Sequence, residues 1–125
     1  YLDQLSIEAE KTKPVNTIYL KNEKVIGHNT DIDGFEKAIN KINFKMNNKK
    51  IFILGAGGVV PSIIYALIKM GAINISISNR TTDNAQMLKD VFKNPVAKSF
   101  GAVCTGYSLR SLNSLFMTIL LNRVG

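Results

Sequence analysis

From Val15 to Leu20 the side chains alternate, with Val15, Thr17 and Tyr19 on one face and Ile18 and Leu20 on the other, which predicts a strand. Lys21-Asn22-Glu23-Lys24 is a polar turn and Val25-Ile26-Gly27 begins a return strand, so the pair reads as a hairpin. Ahead of it, Ser6 is placed to cap a short helix running to Lys11, which Pro14 stops. Beyond it, Thr30 or Asp31 caps a helix in which Phe35, Ala38, Ile39 and Ile42 recur at helical spacing. Asn43 to Lys50 is polar and asparagine-rich, as a connection between two parts of a chain would be.

The pattern changes at Lys50. Ile51-Phe52-Ile53-Leu54 is continuously apolar, as in a parallel strand covered on both faces. Gly55-Ala56-Gly57-Gly58 follows, then a helix from Val59 to Met70 with Pro61 in its first turn and Gly71 past its end. Ile73, Ile75 and Ile77 mark a second strand ending at Ser78, and Thr82 to Phe92 is a further helix, with Pro95 beyond it. Ser108 to Arg123 is read as an apolar helix with Leu109, Leu112, Phe116 and Ile119 on one side. The β-α-β-α order predicts an α/β fold. Residues 46–125 would form a partial Rossmann-type nucleotide-binding domain, preceded in residues 1–45 by the end of an α/β substrate-binding domain.

The glycine run is where chemistry enters. A dinucleotide pyrophosphate needs backbone amides at a helix N-terminus, and glycines let the chain turn tightly without side chains that block approach. Gly55, Gly57 and Gly58 stand where they are needed, although Val60 occupies the third glycine position of the G-x-G-x-x-G fingerprint. A purely structural turn could use the same glycines. At the end of the second strand, Ser78-Asn79-Arg80-Thr81 carries no acid to hold ribose hydroxyls, whereas Arg80, with Asn79 and Thr81, can bind a 2′-phosphate. That predicts NADP as cofactor. The alternative is a capped helix start with an exposed arginine.

Composition narrows the picture. Sixteen Lys+Arg against nine Asp+Glu give the 125 residues a net charge of +7, but the lysines are scattered from Lys11 to Lys98, with Lys49-Lys50 the only adjacent pair, and do not interleave with aromatics. The pattern argues against nucleic acid as a partner. The apolar run Leu115–Leu121, broken by Thr118, is too short to span a membrane. Cys104 and His28, each the sole residue of its type, can build neither a disulfide nor a metal site of their own. The start, Tyr1-Leu2-Asp3-Gln4, does not read as a signal peptide, and a cytoplasmic location is expected.

Three ordered motifs between Leu5 and Phe92 resemble the shikimate/quinate dehydrogenase family. Val15-Asn16-Thr17 is similar to its V-N-T strand, and Asn29-Thr30-Asp31 with Gly34-Phe35 to its N-T-D-x-x-G-F segment. Gly55-Ala56-Gly57-Gly58 with Asn79-Arg80-Thr81 resembles its G-A-G-G loop and N-R-T clamp. The last pair alone would equally fit glutamyl-tRNA reductase or another Rossmann dehydrogenase. The resemblance implies NADPH-dependent reduction of 3-dehydroshikimate to shikimate, a step of aromatic amino-acid biosynthesis. It implies that Asn16 and Asp31 bind substrate and that Asp31 partners a catalytic lysine. It also implies cofactor contacts from Gly55, Ala56, Gly57, Gly58, Val59, Asn79, Arg80 and Thr81. Taken alone, Asp31 would read as a helix N-cap.

The chain departs from the family at several points. The lysine-bearing N-V-T-x-P-x-K segment and the serines that hold the substrate carboxylate are not among these residues. Lys13-Pro14 stands where Gly-Ala precedes V-N-T, and Asn84, beside Asp83, stands where a second basic residue supports the phosphate clamp. Past Asn94 the family's A-T-P-x-G-M strand and its glutamine-bearing helix have no counterpart. The expectation is a fragment inactive by itself. A non-catalytic nucleotide-binding remnant is the alternative. A basic interaction module has no reason to pair V-N-T with N-T-D-x-x-G-F.

Overall fold

The computed structural model describes residues 1–47, 49–92, 96–100 and 116–120, the last two stretches by their backbone alone. Two sheets account for the strands. The first, of order β1-β3-β2, contains β1 (Gln4–Leu5), β2 (Thr17–Lys21) and β3 (Lys24–His28), with α1 (Ile7–Thr12) between β1 and β2. Ser6 caps α1 as the sequence predicts, its Oγ accepting from Ala9 N–H at 3.2 Å. β2 and β3 pair antiparallel from Thr17↔His28 to Lys21↔Lys24. Asn22 and Glu23, between them, both have positive φ (51° and 61°), the conformation of a two-residue primed turn. Val15 and Asn16 lie just outside β2, and Ile18 and Leu20, alike exposed, leave that strand a sheet edge rather than a half-buried face.

The second sheet runs β6-β5-β4-β7 and is parallel throughout. It is built from β4 (Lys50–Leu54), β5 (Asn74–Ser78), β6 (Val96–Phe100) and β7 (Phe116–Leu120), with α3 (Val60–Lys69) after β4 and α4 (Thr82–Phe92) after β5. That order is 3-2-1-4 counted along the chain, the arrangement of one Rossmann half with its first strand beyond the reversal. Among the described residues this sheet thus has four parallel strands, two more than the sequence predicts for it.

The strand β7 overturns the apolar helix read for Ser108–Arg123, because Phe116–Leu120 pairs with β4 residue for residue from Lys50↔Phe116 to Leu54↔Leu120. Over so short a run, the apolar pattern of a strand cannot be told from that of a helix face. The rest of that predicted helix lies outside the described residues.

One face of the sheet is a row of isoleucines. Ile51 sits opposite Ile75 and Ile53 opposite Ile77, all fully buried against Val60, Ile64 and Leu67 of α3. Ile73 falls before β5 and is exposed, because the strand starts only at Asn74. The helix α2 (Asp31–Lys41) packs on α3. It buries Ile32 and Ile39, with Phe35 half-buried between them, while Ala38 and Ile42 are exposed. The stripe keeps Phe35 and Ile39 of the predicted one but turns toward Ile32, and the helix ends at Lys41, leaving Ile42 as a C-cap. Across the same contact Lys69 Nζ lies 3.1 Å from Glu36 Oε1, and the bond to Glu36 raises the lysine above its usual value of 10.5. In the polar connection, Met46 is buried in the isoleucine core and Phe44 packs against it.

Candidate functional site

The loop after β4 begins with Gly55 at φ 111°, a conformation closed to side chains with a Cβ, and its N–H donates to Ser78 O at 2.7 Å. This bond ties the start of the glycine run to the end of β5, where Asn79-Arg80-Thr81 begins. Gly57 and Gly58 are exposed, and a Cβ built on either meets nothing within 4 Å. The protein does not need glycine there for its own packing, and the space stays open to a ligand. Val60, where the fingerprint has its third glycine, points the other way, fully buried among the isoleucines.

The N-terminus of α3 has no side-chain cap and no acid in its first turn. Its positive end thus faces the glycine run unopposed. The neighbours of β4 are β5 on one side and β7 on the other, so the loop leaves the sheet where the strand order reverses, the place where open α/β sheets bind ligands.

At the end of β5, Asn79 Nδ2 donates to Thr81 O at 2.9 Å and pins the turn, leaving Arg80 exposed. No acid pairs with Arg80 among the described residues. Asn84 and Asp83 are exposed on the first turns of α4.

The second group of predicted residues is assembled by the hairpin and α2. Asn16 Oδ1 accepts from Thr30 N–H and Thr30 Oγ1, both at 3.0 Å, and from Thr17 Oγ1 at 3.1 Å. Its oxygen is saturated. Among the described residues its Nδ2 has no partner and is free to donate outward.

Thr30 occupies the N-cap position of α2 but makes no side-chain cap bond, and Asp31 is already helical. The capping explanation for Asp31 therefore fails: the carboxylate is half-buried and unpaired among the described residues. The neighbouring acid differs, since Asp33 Oδ2 lies 3.9 Å from His28 Nε2. His28 Nδ1 is in turn 2.9 Å from Ser6 Oγ.

Two residues that the sequence reading left without a role join the two groups. Asn29 is fully buried. Its Oδ1 accepts from Asp31 N–H at 3.0 Å, and its Nδ2 donates to Thr12 Oγ1 at 3.0 Å and to Ser62 Oγ at 2.7 Å. Ser62, also fully buried, stands in the first turn of α3. A lone serine inside an otherwise apolar helical run was the signal available for it.

The arrangement offers an outward amide, an unpaired carboxylate, a glycine-lined helix N-terminus and a free guanidinium. These can hold a polyhydroxylated substrate beside a phosphorylated cofactor.

Comparison with known proteins bears on the family. A family model described as shikimate / quinate 5-dehydrogenase matches residues 36–103. The chain is 52% identical over 92 residues to the shikimate dehydrogenase (NADP(+)) of Pelagibacter ubique, covering 74% of this chain and 35% of that protein. It is similar to the crystal structure of shikimate dehydrogenase from Aquifex aeolicus, with 37% identity, a TM-score of 0.69, and coverage of 78% and 35% of the two chains. A quinate dehydrogenase from Corynebacterium glutamicum in complex with NAD is similar at 30% identity and a TM-score of 0.69, covering 84% of this chain and 38% of that one. The chain spans about a third of the length of the curated relatives it matches.

Proposed function

Because the chain belongs to the shikimate / quinate 5-dehydrogenase family, we propose that it carries the cofactor half-site and part of the substrate pocket of an NADP-dependent shikimate dehydrogenase. The reaction is the reduction of 3-dehydroshikimate to shikimate. Residues 1–45 belong, in this reading, to the end of the substrate domain and residues 46–125 to the nucleotide domain. In this reading the enzyme works in the cytoplasm on small molecules, with neither nucleic acid nor membrane as partner. No helix among the described residues is long and apolar enough to cross a membrane.

The observation that carries the reading is the spare capacity at Asn16 and Asp31 on a frame bonded directly to the nucleotide helix. NADPH, when bound, supplies the hydride. The open Cβ positions of Gly57 and Gly58 and the uncapped start of α3 fit its pyrophosphate. In this reading Ala56 and Val59 complete the loop, Arg80 holds the 2′-phosphate, and Asn79 keeps the Arg80–Thr81 turn in shape. Asn16 Nδ2 donates to a substrate hydroxyl. The Asp31 carboxylate accepts a hydrogen bond from another and orients the lysine that the family resemblance places in its N-V-T-x-P-x-K segment.

Titration of the chain with NADP+ and with shikimate, followed by backbone amide shifts, tests the proposal. NADP+ should move Gly57, Gly58 and Arg80, and shikimate should move Asn16 and Asp31. Shikimate shifts absent from Asn16 and Asp31 would refute the substrate assignment. A quinate dehydrogenase using NAD is the second reading, favoured by Asn84 and Asp83, which supply no second cation to a 2′-phosphate. Parallel titrations with quinate and NAD+ that show tighter binding than shikimate and NADP+ would establish it.

A further inference from the structure

The acid proposed to hold substrate and the helix proposed to hold cofactor belong to different elements, α2 and α3. Yet among the described residues the direct polar bridge from the Asp31 backbone to α3 is a single side chain. Asn29 receives the Asp31 N–H on Oδ1 and gives one proton of Nδ2 to Ser62 Oγ, in the turn that follows the glycine run. Its other Nδ2 proton goes to Thr12, whose own hydroxyl donates to Glu8 O at 2.7 Å. Both polar atoms of the Asn29 side chain are spent, at complete burial, on three separate elements. A buried amide so committed has one orientation, because any rotation leaves a donor or acceptor unpaired away from water.

We infer that Asn29 and Ser62 are positioning residues, which set the Asp31 carboxylate at a fixed place relative to the nucleotide-binding helix. The inference rests on the functional reading above for what Asp31 and α3 hold, but the bond itself does not depend on it. Hydride and proton transfer both require reacting groups held in near-contact geometry, so the relative placement of the two half-sites matters as much as either alone. The bridge also makes a substitution in the cofactor helix act on the substrate side.

The test is Ser62→Ala in the 125-residue chain, with two measurements. The first is hydrogen exchange of the Asp31 amide, compared with core amides of Ile53 and Ile77. The second is the separate affinity for shikimate and for NADP+. The variant should speed exchange at Asp31 while leaving Ile53 and Ile77 unchanged. It should weaken shikimate about five-fold, the equivalent of one net hydrogen bond, with NADP+ held within about two-fold.

A serine that merely supports α3 would loosen the core amides and weaken NADP+ as well, and that outcome overturns the inference, as does an unchanged Asp31 amide. If shikimate fails to bind the wild-type chain, the substrate reading falls, and the exchange measurement alone still decides the positioning role. Should Ser62→Ala not fold, Ser62→Cys keeps the shape, weakens the acceptor and is judged by the same two readouts.

Discussion

Single side chains divide the work at the proposed nucleotide end of the molecule, and they can be separated experimentally. Arg80 is exposed, without an acidic partner among the described residues, on a turn that Asn79 holds closed. A charge-assisted contact to a 2′-phosphate is worth about 1.5–3 kcal/mol, and with Asn84 in place of a second cation the lower half of that range applies. That amounts to about tenfold discrimination for NADP+ over NAD+. Arg80→Ala should remove most of it while leaving NAD+ affinity nearly unchanged, which parallel titrations at one ionic strength will read. Gly57→Val should weaken both cofactors, since it fills the space left for the pyrophosphate they share. The open surroundings of Gly57 mean that its melting temperature should stay near wild type, so lost binding cannot be blamed on lost fold. The sequence placed Asn29 in a motif but gave neither it nor Ser62 a role, because what joins them is a bond between positions 33 residues apart, which no local pattern records.

At the level of elements, what the sequence made plain depended on how long and how regular each pattern was. The helix Thr82–Phe92 and the short helix capped by Ser6 fall where the sequence puts them, because cap, period and stop signal agree. The face of α2 does not. Ile42 and Ala38 match a helical period, but the buried stripe is Ile32, Phe35 and Ile39, chosen by where α3 lies. Ile39→Ala should therefore cost about 2–5 kcal/mol, and Ile42→Ala less than about 0.5 kcal/mol, in urea unfolding. Equal costs would restore the sequence-derived face. In the hairpin, Glu23 holds a left-handed conformation at φ 61° that glycine adopts without strain. Glu23→Gly should stabilise the chain by about 1 kcal/mol, read as a raised urea midpoint with an unchanged slope.

For the whole molecule, the decisive feature is that β4 lies between β5 and β7. The neighbour from β5 was legible, since strand, helix and strand follow one another at short range. The neighbour from β7 was not, because long-range pairing leaves no trace in periodicity. A chain cut before Phe116 would leave the β7-facing edge of β4 unpaired, and it should self-associate in sedimentation runs where the full chain does not. The same arrangement has a consequence in time. During synthesis, at roughly 5–20 residues per second, β4 emerges several seconds before the strand that closes its second edge. Until then the glycine run hangs from a strand with one side bare. The pairing with β5 can form early, but that with β7 must wait for closure of a long loop, which is intrinsically slow. The loop at the end of β4 is thus framed on both sides late, and a newly made chain passes through an interval in which its strands are recognisable to one another, and to those of other copies, before the proposed cofactor site is framed on both sides.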